Sequence, residues 1–123
     1  IASEIAAACD ITILSGDDSL TLPLSSVGAR GVISVVANIL PAEMRSFSDS
    51  IASGDIAAAR AMHLKLFPLF KGMFVQTNPI PIKAALAMAG MIRNELRLPM
   101  LPLSDEYRAP LAELLGQFGI KCR

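Results

Sequence analysis

Residues 11–38, ITILSGDDSLTLPLSSVGARGVISVVAN, decide the fold. Ile11-Thr12-Ile13-Leu14-Ser15 is short, rich in β-branched residues and stopped by Gly16, which reads as a strand. Gly31-Val32-Ile33-Ser34-Val35-Val36 reads as a second strand. Its apolar residues do not alternate with polar ones, so both faces are expected to be covered, as in a parallel sheet packed by helices. Between the two, Asp17 and Asp18 are cap-type residues for a helix to about Val27, with Gly28 at its end and Pro23 bending or shortening it. Strand, helix and strand in so short a span make a βαβ unit.

Outward from this unit the chain is helical. Upstream, Ala-rich Ile1 to Cys9 reads as the tail of a helix. Opening at Ile1 inside such a stretch, without a basic leader, is expected of a portion of a longer chain. Downstream, Pro41 suits the first turn of a helix to about Ser53, ended by Gly54. Asp55 caps a longer helix from Ile56 to Phe74, with Ile56, Ala59, His63, Leu66, Phe67, Phe70 and Phe74 on its apolar stripe and Pro68 bending it. Asn78-Pro79-Ile80-Pro81 is a stiff lead-in to a helix from Ile80 to Ala89, closed by Gly90. After an extended connector over Arg97 to Leu103, Ser104 caps the last helix, with Asp105 and Glu106 in its first turn and Gly119 at its end.

Two strands alone make no stable parallel sheet, because each leaves an edge unpaired and a face bare. The pattern is therefore that of a slice of a larger α/β fold followed by added helices. A (β/α)8 barrel takes about 250 residues, so part of one plus extra helices fits a chain of this length. In such a barrel the chemistry sits at the C-terminal ends of the strands, here Ser15-Gly16-Asp17-Asp18 and Val36-Ala37-Asn38.

Composition narrows the function classes. Of 123 residues 53% are hydrophobic, more apolar surface than a small free domain normally hides. Eleven basic residues balance eleven acidic ones, and no basic run marks a nucleic-acid or anionic-membrane surface. With no Trp and one Tyr, platforms for stacking bases are missing too. No apolar run approaches the ~18 residues that a membrane span needs. Cys9 and Cys122 form neither a disulfide framework nor a CxxC pair, which suits free thiols in a reducing compartment and a cytoplasmic protein. No metal site and no cofactor are expected.

The stretches Leu14-Ser15-Gly16-Asp17-Asp18, Gly31 to Asn38, Asn78-Pro79-Ile80-Pro81-Ile82-Lys83, Arg97-Leu98-Pro99 and Pro102-Leu103-Ser104, in that order, resemble the C-terminal part of the dihydrodipicolinate synthase (4-hydroxy-tetrahydrodipicolinate synthase) family. The resemblance covers essentially the whole chain, and the order of the motifs is more specific than any one of them. It implies strands seven and eight with their helices from a (β/α)8 TIM barrel over residues 1–54, then a C-terminal helical domain over 55–123. It also implies a pyruvate-dependent class I aldolase-type lyase, which condenses pyruvate with L-aspartate 4-semialdehyde on the diaminopimelate route to lysine. The related N-acetylneuraminate lyase branch carries Gly-x-Asp-Glu after strand seven, where this chain has Gly16-Asp17-Asp18-Ser19. That branch also has a Ser-Thr-Tyr-Asn stretch in place of Val35-Val36-Ala37-Asn38. The synthase reading is favoured, with a related keto-acid aldolase as the alternative.

The reaction class needs a lysine amine that is neutral when it attacks the keto group. Lys65, Lys71 and Lys83 are expected on helices and Lys121 at the terminus, so none points into a barrel mouth. By the family pattern the Schiff-base lysine, the catalytic tyrosine and the carboxylate-binding threonines lie upstream of Ile1, and Tyr107 matches none of them. The chain alone is therefore expected to be inactive. The same pattern puts Ile33 against bound pyruvate, though Ile33 also reads as an ordinary strand residue. Gly16 would let a ligand approach the backbone, and Asp17 or Asp18 would face the semialdehyde. The bland reading of these three is a helix cap with a flexible glycine before it. His63, a lone imidazole on an apolar face, reads as a packing residue. A competing class is a non-catalytic helical module for interaction or oligomerisation. In either case a homo-oligomer, or association with the missing N-terminal half, is expected.

Overall fold

The structure is a computed structural model that describes residues 1–122. Its elements are α1 (Ala2–Ala8), β1 (Leu14–Ser15), α2 (Thr21–Ser25), β2 (Gly31–Val32), α3 (Pro41–Ala52), α4 (Ile56–Gly72), α5 (Ile80–Met88) and α6 (Asp105–Gln117). Short 3-10 turns over Asp18–Leu20 and Val36–Asn38 follow the two strands. The strands pair in parallel, Leu14 opposite Gly31 and Ser15 opposite Val32, with α2 between them as the crossover. The expected βαβ unit is present.

It is shorter than its sequence suggests. Neither Ile11–Ile13 nor Ile33–Val36 is strand, although the Arg30 and Ile33 amides donate to the Ile13 and Ser15 carbonyls at 2.9 and 2.8 Å. A strand persists only where a neighbour holds it, and here each has one neighbour. For the same reason the expectation that both faces are covered fails: Leu14 is 48% and Ile33 72% exposed. The helix expected to reach Val27 splits into a 3-10 turn and α2, which stops at Ser25; Gly28, at φ +101°, closes the segment.

Packing divides the chain into two compact units, Ile1–Phe67 and the residues from Pro68 onward. In the first, Val36, Ile39, Leu40, Met44 and Phe47 are buried, and α3 packs on the 3-10 turn that follows β2. Pro41 opens α3, where its missing N–H costs nothing, and Gly54 at φ +77° follows it in a conformation that a Cβ would strain. The Asp55 side chain accepts the Ala58 amide at 3.0 Å and so caps α4. On α4 itself, Ala59, Leu66 and Phe70 are buried as expected, but Ile56, Phe67 and Phe74 are exposed. Leu69 and Met73 are buried in their place, and the helix stops at Gly72 rather than Phe74.

In the second unit α5 packs against α6. Ile80, Pro81, Ile82, Ala84 and Ala85 of α5 are buried, as are Leu111 and Leu115 of α6. Lys83 donates through Nζ to the Glu95 carbonyl. Ser104 holds the N-cap position of α6 but makes no capping bond with its own side chain; Gln76 holds it instead. No helix among the described residues is long and apolar enough to cross a membrane.

Candidate functional site at the strand ends

The parallel register brings the residues that follow β1 and β2 to one edge of the sheet. Ile33, the first residue after β2, donates its amide to the carbonyl of Ser15, the last residue of β1. Gly16 and Ile33 thus occupy neighbouring positions at the C-terminal ends of the strands. The Ile33 side chain is open to solvent, and a Cβ added to Gly16 would meet nothing within 4 Å.

The loop after β1 is built from small polar side chains. Ser15 Oγ donates to the Asp17 carbonyl at 2.6 Å and accepts the Asp17 amide at 3.2 Å. Asp17 Oδ1 accepts both the amide and the hydroxyl of Ser19 at 2.7 Å, and so caps the first 3-10 turn. Thr21 Oγ1 donates to the Asp17 carbonyl at 3.2 Å. The run Ser-Gly-Asp-Asp-Ser folds in this way because short hydroxyl and carboxylate side chains reach backbone groups two residues on. Ser15, expected at the strand end, is buried, and so is Thr21, which the sequence did not single out; a threonine following an Asx-type turn was the available signal.

Asp18 points the other way. It is fully buried, and its Oδ2 accepts the amides of Val35 and Val36 at 3.0 and 3.1 Å, across to the loop after β2. Its Oδ1 is buried with no hydrogen-bond partner among the described residues. Hydrogen bonds to a carboxylate are each worth about 1.5–3 kcal/mol, so this bridge is a substantial local tie. Ser34 Oγ accepts the Ala37 amide at 2.8 Å and tightens the same turn. Of the four candidate residues, Gly16 and Ile33 are open at the strand edge, Asp17 is spent on capping, and Asp18 joins the loops from beneath.

The lysines lie elsewhere. Lys65 and Lys71 are on α4, Lys83 is on α5, and Lys121 follows α6. Among the described residues no cluster of three His, Cys, Asp or Glu side chains is disposed to hold a metal ion. A groove of about 590 Å³, lined by Leu22, Ala29, Arg30, Ile51 and Ile56 among others, includes neither Gly16 nor Ile33. His63 sits between Phe47 and Phe67, with ring centroids 6.2 and 5.6 Å away, and its loss of solvent lowers its pKa.

A parallel βαβ pair with its polar loops gathered at the C-terminal strand ends, followed by packed helices, is the arrangement of a segment of a larger α/β protein. The chain belongs to the dihydrodipicolinate synthetase family, whose profile matches residues 2–118. It is 48% identical over 118 residues to the 4-hydroxy-tetrahydrodipicolinate synthase of Methanocaldococcus jannaschii, covering 96% of this chain and 41% of that protein. The crystal structure of the Aquifex aeolicus dihydrodipicolinate synthase superposes with a TM-score of 0.95 at 42% identity, over 99% of this chain and 42% of that one. The Acinetobacter baumannii enzyme, solved as a complex with pyruvate, superposes with a TM-score of 0.91 at 36% identity, over 97% of this chain and 42% of that one. The chain thus spans about two fifths of these relatives, and its fold is the C-terminal portion of their TIM barrel with the helices that follow.

Proposed function

We propose that this chain supplies the C-terminal part of a pyruvate-dependent lyase, a 4-hydroxy-tetrahydrodipicolinate synthase of the cytoplasm that condenses pyruvate with L-aspartate 4-semialdehyde for lysine synthesis. Gly16 and Ile33 form its open share of the pocket rim, Asp17 and Asp18 shape the loops that carry them, and the barrel portion passes into the helical extension at Gly54. The observation that carries this reading is the juxtaposition of Gly16 and Ile33 at the C-terminal strand ends, supported by membership of the family. The imine-forming lysine comes from the part of the enzyme that precedes this segment in the relatives. There its amine adds to the keto carbon of pyruvate and water leaves, giving the Schiff base. Ile33 offers an apolar wall, and Gly16 offers a backbone that a substrate can approach.

A second reading, a non-catalytic helical interaction module, is favoured only by the placement of every lysine away from the strands. The test is to fuse the N-terminal part of the Methanocaldococcus jannaschii synthase to this chain and incubate with pyruvate and borohydride. The expected result is a covalent mass increment on the fusion, within the borrowed part, together with condensation activity; the 123-residue chain alone gains no mass. An increment on Lys65, Lys71, Lys83 or Lys121, or a folded fusion without activity, overturns the proposal.

A further inference from the structure

We infer that Asp18 is a positioning residue of this site: its carboxylate, bridging to the Val35 and Val36 amides, fixes where Ile33 stands. The inference rests on the reading of Ile33 as part of the pocket rim. Ile33 is clamped on both sides by the loop and strand opposite it. Before it, its own amide is held by the Ser15 carbonyl at 2.8 Å. Just after it, the amides of Val35 and Val36 are held by Asp18 Oδ2 at 3.0 and 3.1 Å. Between the two clamps lie only Ile33 and Ser34. The result is an apolar side chain that is open to solvent on a backbone with little freedom, which is how a rigid contact surface for a small ligand is made in advance.

Burial separates Asp18 from the ligand itself. It has no exposed surface while Ile33 is 72% exposed, so a molecule that lies on Ile33 does not reach the Asp18 carboxylate. Asp18 acts on the substrate only through the backbone that it holds. Asp17 differs, since its carboxylate is committed to Ser19 within its own loop and ties nothing to the loop after β2.

Two measurements test this. On the 123-residue chain, Asp18→Ala is expected to speed hydrogen exchange at the Val35 and Val36 amides by tenfold or more and to shift the Ile33 methyl resonances, while Asp18→Asn, which keeps an acceptor oxygen, changes both much less. On the fusion with the Methanocaldococcus jannaschii N-terminal part, Asp18→Ala is expected to raise the KM for pyruvate about tenfold with a smaller change in kcat. Ile33→Ala does the same, and the double variant is little worse than either single one, because both act through one contact. Asp18→Asn is expected to lose only about threefold in kcat/KM, and it serves as the deciding variant should Asp18→Ala not fold. Additive losses in the double variant, or an Asn variant as impaired as the Ala variant, would mean that Asp18 does not act through the place of Ile33, and would overturn the inference. An inactive wild-type fusion would defeat the proposed function instead. The amide and methyl readouts on the chain would then still decide the clamp, which unchanged exchange in Asp18→Ala would refute.

Discussion

His63 shows how one residue reports its surroundings. Phe47 on α3 and Phe67 one turn along α4 flank the ring, and the lost hydration disfavours its charged form. Its pKa in the folded chain lies below the ordinary 6.5, so the unfolded chain binds the proton more readily. The stability from this group is therefore fully present above about pH 6.5 and is lost as pH falls through the lower folded value. The chain has a single histidine, so one imidazole C–H signal can be followed by NMR. Its midpoint is expected below 6.5, and Phe67→Ala, which opens one side of the ring to water, moves it back up. A midpoint at or above 6.5 would show that the aromatic pair does not dry the ring.

At the scale of elements, the start of α6 depends on a residue far along the chain. Gln76 Nε2 donates to Ser104 Oγ, and the Ser104 amide donates to Gln76 Oε1, both at 2.9 Å. One side-chain amide thus satisfies both groups of a partly buried serine at the helix N-cap. Gln76→Ala is expected to cost about 1–2 kcal/mol in urea unfolding, since the two bonds are lost together. Ser104→Ala costs a similar amount, and the double variant costs clearly less than the sum; additive losses would mean that the pair is not coupled. The same pair marks where sequence reading stops. A serine before Asp105 and Glu106 announces a helix start, and Pro41 and Gly54 bracket α3, because these signals act over one turn of backbone. That Gln76 would hold Ser104, or that Asp18 would reach Val35 rather than cap its own turn, depends on segments that fold back from 28 and 17 positions away. The strand lengths were hidden for a related reason: Ile11 to Ser15 has the residues of a strand, but a strand's extent is set by its neighbours. Gly16 was legible as a strand-end residue, whereas Ile33 was tied to the site only by the family resemblance, because its run of apolar residues reads as strand to Val36 while β2 stops at Val32.

For the whole molecule the governing fact is a parallel pair with one neighbour for each strand and apolar side chains on show. Ile11 is 61%, Leu14 48% and Ile33 72% exposed. Open strand edges bearing exposed apolar residues pair with another chain unless charge or cover prevents it. In the relatives this segment is about two fifths of the protein. The isolated chain is therefore expected to self-associate at micromolar concentration, seen as a concentration-dependent mass in sedimentation. Lys substitutions at Ile11 and Leu14 place charge on that edge and are expected to shift the chain toward monomer without unfolding it, since neither side chain is buried. Covalent fusion to the N-terminal part of a relative should remove association through this edge with no substitution at all, because barrel strands then take it. If both changes leave the sedimentation profile as it was, association does not run through the sheet. If the unmodified chain is a monomer throughout, the pair of strands suffices for itself, and the fusion would then have no edge to cover.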